Sequence, residues 1–159
     1  MKTRDPYLIR RALTIISYEY GKGTVERLMG GDLSIEFNPV LNRVRQVYYN
    51  GELAFSIRAS DGYLLPTLLG ARFIDSYAVV RDEAVPFIRQ GRNVPLSMVI
   101  DIINARAGMD IAIKDQSSNV IGVGRLMVSP SELRGLGRGF IIRTRQHLGS
   151  HAPGDAVNR

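Results

Sequence analysis

The sequence predicts an α+β protein made of two small units, and three observations carry that prediction. Apolar residues recur at helical spacing between Pro6 and Tyr20, the period changes to two after Gly30-Gly31, and a strand-and-turn pattern restarts at Tyr77. The expected division is a small α/β unit over residues 1–75, a unit of mixed strands with short helices over 76–148, and a flexible tail over 149–159.

In the first unit, Asp5-Pro6 reads as a helix start, an N-capping acid followed by proline at the first helical position. Leu8, Ile9, Ala12, Leu13, Ile16 and Tyr20 then form the apolar stripe, and Gly21 and Gly23 stop it, with one further turn over residues 24–29. Leu33, Ile35 and Phe37 alternate with polar neighbours up to the Asn38-Pro39 turn. Residues 44–49 and 53–57 flank Asn50-Gly51, a pair suited to the type I′ hairpin turn. Asp61-Gly62 turns the chain again before an apolar segment ending near Ile74. The unit is thus helix, three strands, helix.

In the second unit a strand over residues 77–80 leads into a helix over 82–90, which stops at Gly91. Strands are expected over residues 96–100, 110–114, 120–128 and 140–145. Ser129-Pro130-Ser131-Glu132 has the S-x-x-E form of a capping box, so a short helix belongs between the last two strands.

Lys and Arg number 21 against 15 acids, a formal charge of +6 with Arg dominating. That balance favours a polyanionic partner, because each cation docked on a phosphate releases condensed counterion, and Arg suits bidentate phosphate contact. The absence of cysteine excludes disulfides, thiolate metal sites and thiolate nucleophiles. No run approaches the ~20 apolar residues of a membrane span, and Arg10 and Arg11 interrupt the only N-terminal apolar stretch. The expectation is a soluble, cytoplasmic protein without membrane contact.

Several short motifs fall in order along the second half: "AVVRDEAVPFIRQGRNV", "VIGVGRLMVSPSEL" and "GRGFIIRTR". Together they resemble a PUA domain, a small pseudo-barrel of mixed strands with short helices found on many RNA-modifying enzymes. The first half, with "SYEYGKGTVERLM" and "NRVRQVYYNGELAFSIRASDGYLLPTLLGARF", resembles the small domain that precedes PUA in the archaeal tRNA-guanine transglycosylase of archaeosine synthesis. The R-x-S-D-G and G-A-R elements are its most specific part. The resemblance implies a pre-PUA domain followed by PUA, without the catalytic barrel. It therefore implies tRNA binding without base exchange. Ser97 stands where PUA sequences commonly carry Lys.

Two candidate RNA contacts follow. In Arg89-Gln90-Gly91-Arg92-Asn93, glycine lets backbone approach a phosphate and two arginines flank it. A helix C-cap explains Gly91 but does not require Arg92 or Asn93, and the resemblance favours the RNA role. Arg138, in a glycine-rich loop, with Arg143 and Arg145 two apart on a strand, forms the second. That set fits a phosphate-tracking strip and a solvated strand face equally well. Arg10, Arg11, Arg43 and Arg45 read as a solvated basic face. Most of Tyr18, Tyr20, Tyr48 and Tyr49 read as core.

No catalytic residue, metal ligand or cofactor is expected: His147 and His151 lie in or beside the tail, and no Ser–His–acid arrangement can be proposed. The function expected is that of a non-catalytic RNA-binding protein recognising structured tRNA near the acceptor stem. Two alternatives stay open. One is a subunit serving a catalytic tRNA-modifying partner in trans, with Leu64, Leu65, Leu68 and Leu69 as a contact if exposed. The other is a ribosome-associated factor binding rRNA.

Overall fold

The computed structural model describes residues 1–135 and 137–149, with Arg134 by its backbone alone. It divides into two compact units, Met1–Asp75 and a second beginning at Ser76. The sequence-expected tail beyond Gly149 lies outside the described residues.

Helix α1 spans Pro6–Tyr20. The Asp5 carboxylate accepts the Tyr7 amide at 2.9 Å, and Gly21, at φ 95°, ends the helix in a conformation that favours glycine. Leu8, Ala12, Ile16 and Tyr20 form its buried face. Helix α2, Lys22–Leu28, follows directly and is longer than the single expected turn, steadied by the Thr24 hydroxyl donating to the Tyr20 carbonyl.

The helices accompany a five-stranded antiparallel sheet in the order β1-β2-β3-β4-β5: Lys2–Thr3, Leu33–Asn38, Arg43–Tyr49, Glu52–Ile57 and Leu64–Pro66. The two edge strands were not legible, because two or three residues are too few to display a period. Asn50 and Gly51 both have positive φ, as a type I′ turn requires. Ile16, Leu28, Ile35, Val47, Phe55 and Leu64 are fully buried, and the Tyr20 hydroxyl donates to the Leu64 carbonyl at 2.8 Å.

The R-x-S-D-G and G-A-R elements both prove structural. Arg58 donates from Nε and Nη2 to the Asp61 carboxylate, closing the β4–β5 turn. Helix α3, Leu68–Ala71, is capped by Thr67 and crosses so close to β4 that a Cβ on Gly70 would lie 2.1 Å from the Ala54 carbonyl oxygen. Neither backbone can yield cheaply. Gly70→Ala should lower the unfolding free energy by about 2–3 kcal/mol, read by urea denaturation. Unchanged stability would mean that the helix can slide off β4.

The second unit is one curled sheet in the order β7-β11-β10-β9-β6-β8. Its strands are β6 Tyr77–Val80, β7 Val94–Pro95, β8 Val99–Ile103, β9 Asp110–Lys114, β10 Val120–Leu126 and β11 Phe140–His147. Among the described residues only β6 and β9 pair in parallel. Strands β7 and β8 lie at opposite ends of that order, yet only Leu96–Met98 separate them. A flat six-stranded sheet would part its edges by about 24 Å, whereas four residue steps reach at most about 14 Å. The sheet must therefore roll into a half-barrel.

Two elements differ from the sequence-based expectation. The helix over 82–90 is a 3-10 turn, Asp82–Ala84, leading into the single turn of α4, Val85–Ile88. Pro86 has no amide to donate to the Asp82 carbonyl, so an α-helical ladder cannot run through it. The strand over 96–100 is displaced because Leu96–Met98 form the 3-10 turn that crosses between the sheet edges. The S-x-x-E segment does form a short 3-10 helix, Pro130–Gly135, with the Glu132 carboxylate accepting the Ser129 amide at 3.1 Å. No helix among the described residues is long and apolar enough to cross a membrane.

Candidate nucleic-acid interface

The local chain explains how the Gly91 loop is held. The Gly91 amide donates to the Ile88 carbonyl and the Arg92 amide to the Phe87 carbonyl, with Gly91 at φ 85°. The loop is then stapled to β11 through one residue. The Thr144 hydroxyl donates to the Arg92 carbonyl at 2.9 Å, and its amide donates to Asn93 Oδ1 at 3.2 Å. The Asn93 side chain thus has a structural duty.

Beside this loop lies a cleft of about 440 Å³, lined by Phe87, Ile88, Arg92, Pro95, Met98 and Phe140 among others. Phe87 is 47% exposed and Phe140 is 65% exposed. The Arg92 guanidinium sits over the Phe87 ring, 5.5 Å from its centroid. Phe140 is held at the mouth by pairing with Pro95 across β7 and β11, and the Gly139 carbonyl accepts the Leu96 amide at 2.8 Å. Arg138, immediately before this anchor, is exposed. Two aromatic faces, a guanidinium and apolar walls can hold a planar base and its phosphate.

The seven candidate residues do not form one strip. Gly91, Arg92 and Asn93 line the cleft, and Arg138 precedes its Phe140 edge by two positions. Arg89 is exposed, donating to the Gly149 carbonyl at 3.3 Å. Arg143 is exposed and lies opposite Arg125, itself opposite Asp110, so the pleat directs it away from Thr144. Arg145 is the extra residue of a bulge in β11, and its guanidinium pairs with the Asp110 carboxylate through Nε at 2.8 Å and Nη2 at 2.5 Å. The Asp110 side chain is 2% exposed. The equal spacing of Arg143 and Arg145 thus conceals two different environments.

Phe87, Phe140 and Thr144 were not singled out from the sequence. The signal was present for the phenylalanines, which adjoin the Arg-Gly segments, but an aromatic in a short apolar run is indistinguishable from core until its exposure is known. Tyr20 is core, Tyr48 and Tyr49 are half-buried, and Tyr18 is exposed. His147, beside the expected tail, is a strand residue of β11 packed against Gly91, and His151 lies outside the described residues. Leu64 is fully buried and Leu65, Leu68 and Leu69 are half-buried, which weakens the case for a leucine contact with a partner. No cluster of three His, Cys, Asp or Glu able to hold a metal occurs among the described residues.

Comparison with known proteins agrees with this architecture. Residues 10–79 match the patch-forming domain C2 of tRNA-guanine transglycosylase, and residues 76–148 match the PUA domain. The tRNA-guanine(15) transglycosylase of Methanothermobacter thermautotrophicus is 28% identical over 144 residues, covering 86% of this chain and 22% of the relative. That of Methanocaldococcus jannaschii is 28% identical over 147 residues, covering 87% and 22%. The chain thus spans about a fifth of the length of these relatives. Among solved structures, a hypothetical protein of Pyrococcus horikoshii OT3 aligns over the whole of both chains with a TM-score of 0.72 at 15% identity. A conserved PUA domain protein of Thermoplasma acidophilum aligns over 95% of this chain and 96% of its own, with a TM-score of 0.70 at 17% identity. Residues 76–148 carry a PUA domain, and the two units together resemble the C-terminal part of the archaeal tRNA-guanine transglycosylases.

Proposed function

We propose that this chain binds structured tRNA by its acceptor-stem region, in connection with tRNA modification, and serves as a binding rather than a catalytic component. The observation that carries this reading is the cleft beside the stapled Gly91 loop, where Phe87, Phe140 and Arg92 converge. An unpaired nucleotide at the strand end stacks on the exposed rings, while Arg92, Arg89 and Arg138 hold phosphates of the adjoining helix and Arg143, on the other face of β11, holds one further phosphate. A-form RNA hides its major groove, so a rigid surface reads its shape, its shallow groove and its end.

Base exchange demands an acid or nucleophile fixed beside the glycosidic bond and a pocket for the flipped base. The similarity to the transglycosylases covers their C2 and PUA region, which supports a part in holding tRNA for a catalytic region, in cis or in trans.

The test is a salt titration of tRNA affinity. These four phosphate contacts contribute about −3 to the log–log slope, and Arg92→Ala reduces it by about one while weakening binding to all tRNAs alike. A flat salt response, or equal affinity for an unpaired RNA of the same length, would remove the basis for this reading.

A further inference from the structure

The turn joining β2 to β3, Pro39-Val40-Leu41-Asn42, carries two large aliphatic side chains into solvent: Val40 is 91% exposed and Leu41 is 62% exposed. Single exposed aliphatics need no explanation. Here, however, two adjacent ones stand at the apex of a turn that is actively held. Asn38 Oδ1 accepts the Leu41 amide at 3.1 Å, and Asn42 adopts φ 50°. Arg11 reaches from α1 to clamp Asn42, donating from Nη1 to its side-chain oxygen at 2.9 Å and from Nη2 to its carbonyl at 3.1 Å. Arg43 and Arg45 are exposed on either side of buried Val44, and Arg45 is the extra residue of a bulge. None of Arg11, Arg43 and Arg45 pairs with a carboxylate among the described residues.

We infer that this turn is an RNA wedge: Val40 and Leu41 press against an unstacked base step of a folded RNA, and Arg43 and Arg45 hold the phosphates beside it. This rests on the RNA-binding reading above and adds a second, separate contact on the first unit. Two side chains fall far short of the about 800 Å² that each partner buries in a standard protein interface. They do suffice for a wedge, which inserts one or two apolar residues at a base step and relies on flanking cations for its charge. The Arg11 clamp supplies the rigidity such an insertion needs, since a floppy tip would lose its contact energy to ordering.

The test uses the full chain and an unmodified tRNA transcript, probed by nucleotide-resolution backbone acylation. The wild-type protein should raise the reactivity of one base step away from the unpaired 3′ end. The Val40→Ser/Leu41→Ser variant should abolish that enhancement and weaken affinity about tenfold, with an unchanged salt slope and an unchanged melting temperature. The Arg43→Gln/Arg45→Gln variant should instead lower the slope by one to two. If the serine variant keeps both affinity and reactivity pattern while Arg92→Ala weakens binding, the wedge is wrong and the cleft stands. The same conclusion follows if the serine variant keeps its RNA pattern but loses a co-purifying protein. If the wild-type chain binds no tRNA, the wedge and the RNA-binding reading fall together.

Discussion

Arg145→Ala should cost about 2–3 kcal/mol of stability, with the melting temperature falling by about 10 °C or more. The reason is Asp110, whose carboxylate is almost wholly shielded while Arg145 caps it from a bulge in β11. Removing the guanidinium leaves a buried charge without that counter-ion. The arginine keeps about a third of its side-chain surface in solvent, which holds the loss below that of a fully buried pair. Arg143→Ala, one residue pair away, should leave stability within about 0.5 kcal/mol and act on tRNA affinity instead. Replacing both partners, Asp110→Leu with Arg145→Met, should recover most of the loss, because neither charge is then stranded. Thermal unfolding of wild type and the three variants settles the matter. An Arg145→Ala protein as stable as wild type but weaker on tRNA would make Arg145 a phosphate ligand.

The second large effect concerns the cleft. Phe87→Ala and Phe140→Ala should each weaken binding of a tRNA with an intact single-stranded 3′ end by about tenfold to a hundredfold, the range for losing a base–aromatic stack. Phe140 is largely and Phe87 nearly half solvent-exposed, so folding should be little affected. The discriminating comparison is a tRNA trimmed of its unpaired 3′ nucleotides. Wild type should bind it about as weakly as the variants bind the intact molecule, and the variants should lose little more on trimming. Equal wild-type affinity for trimmed and intact tRNA would mean that the cleft takes no strand end.

These two residues of arginine type show where sequence reading stops. Arg143 and Arg145 are two apart in a basic strand, and strict alternation gives them one face and one role. The bulge in which Arg145 is the extra residue, and the Asp110 that lies 35 positions earlier, are long-range facts. Phe87 and Phe140 are likewise separated by more than fifty residues and meet only because β7 pairs with β11.

What the sequence determined by itself is everything with a local cause. Asp5-Pro6 and Gly21 bound α1, Asn50-Gly51 sets the β3–β4 hairpin, alternation marks β2, and ordered motifs mark the PUA and C2 resemblance. Each rests on residues within a few positions of one another, where propensity and periodicity act. The tertiary structure alone decided the two short edge strands of the first sheet, the break at Leu96–Met98, the burial of Leu64 and the meeting of Phe87, Arg92 and Phe140. Those depend on which distant strands pair and how far the sheet curls. Periodicity tells which side of its own element a residue faces, but only the packing of other elements decides whether that side is core, cleft or solvent.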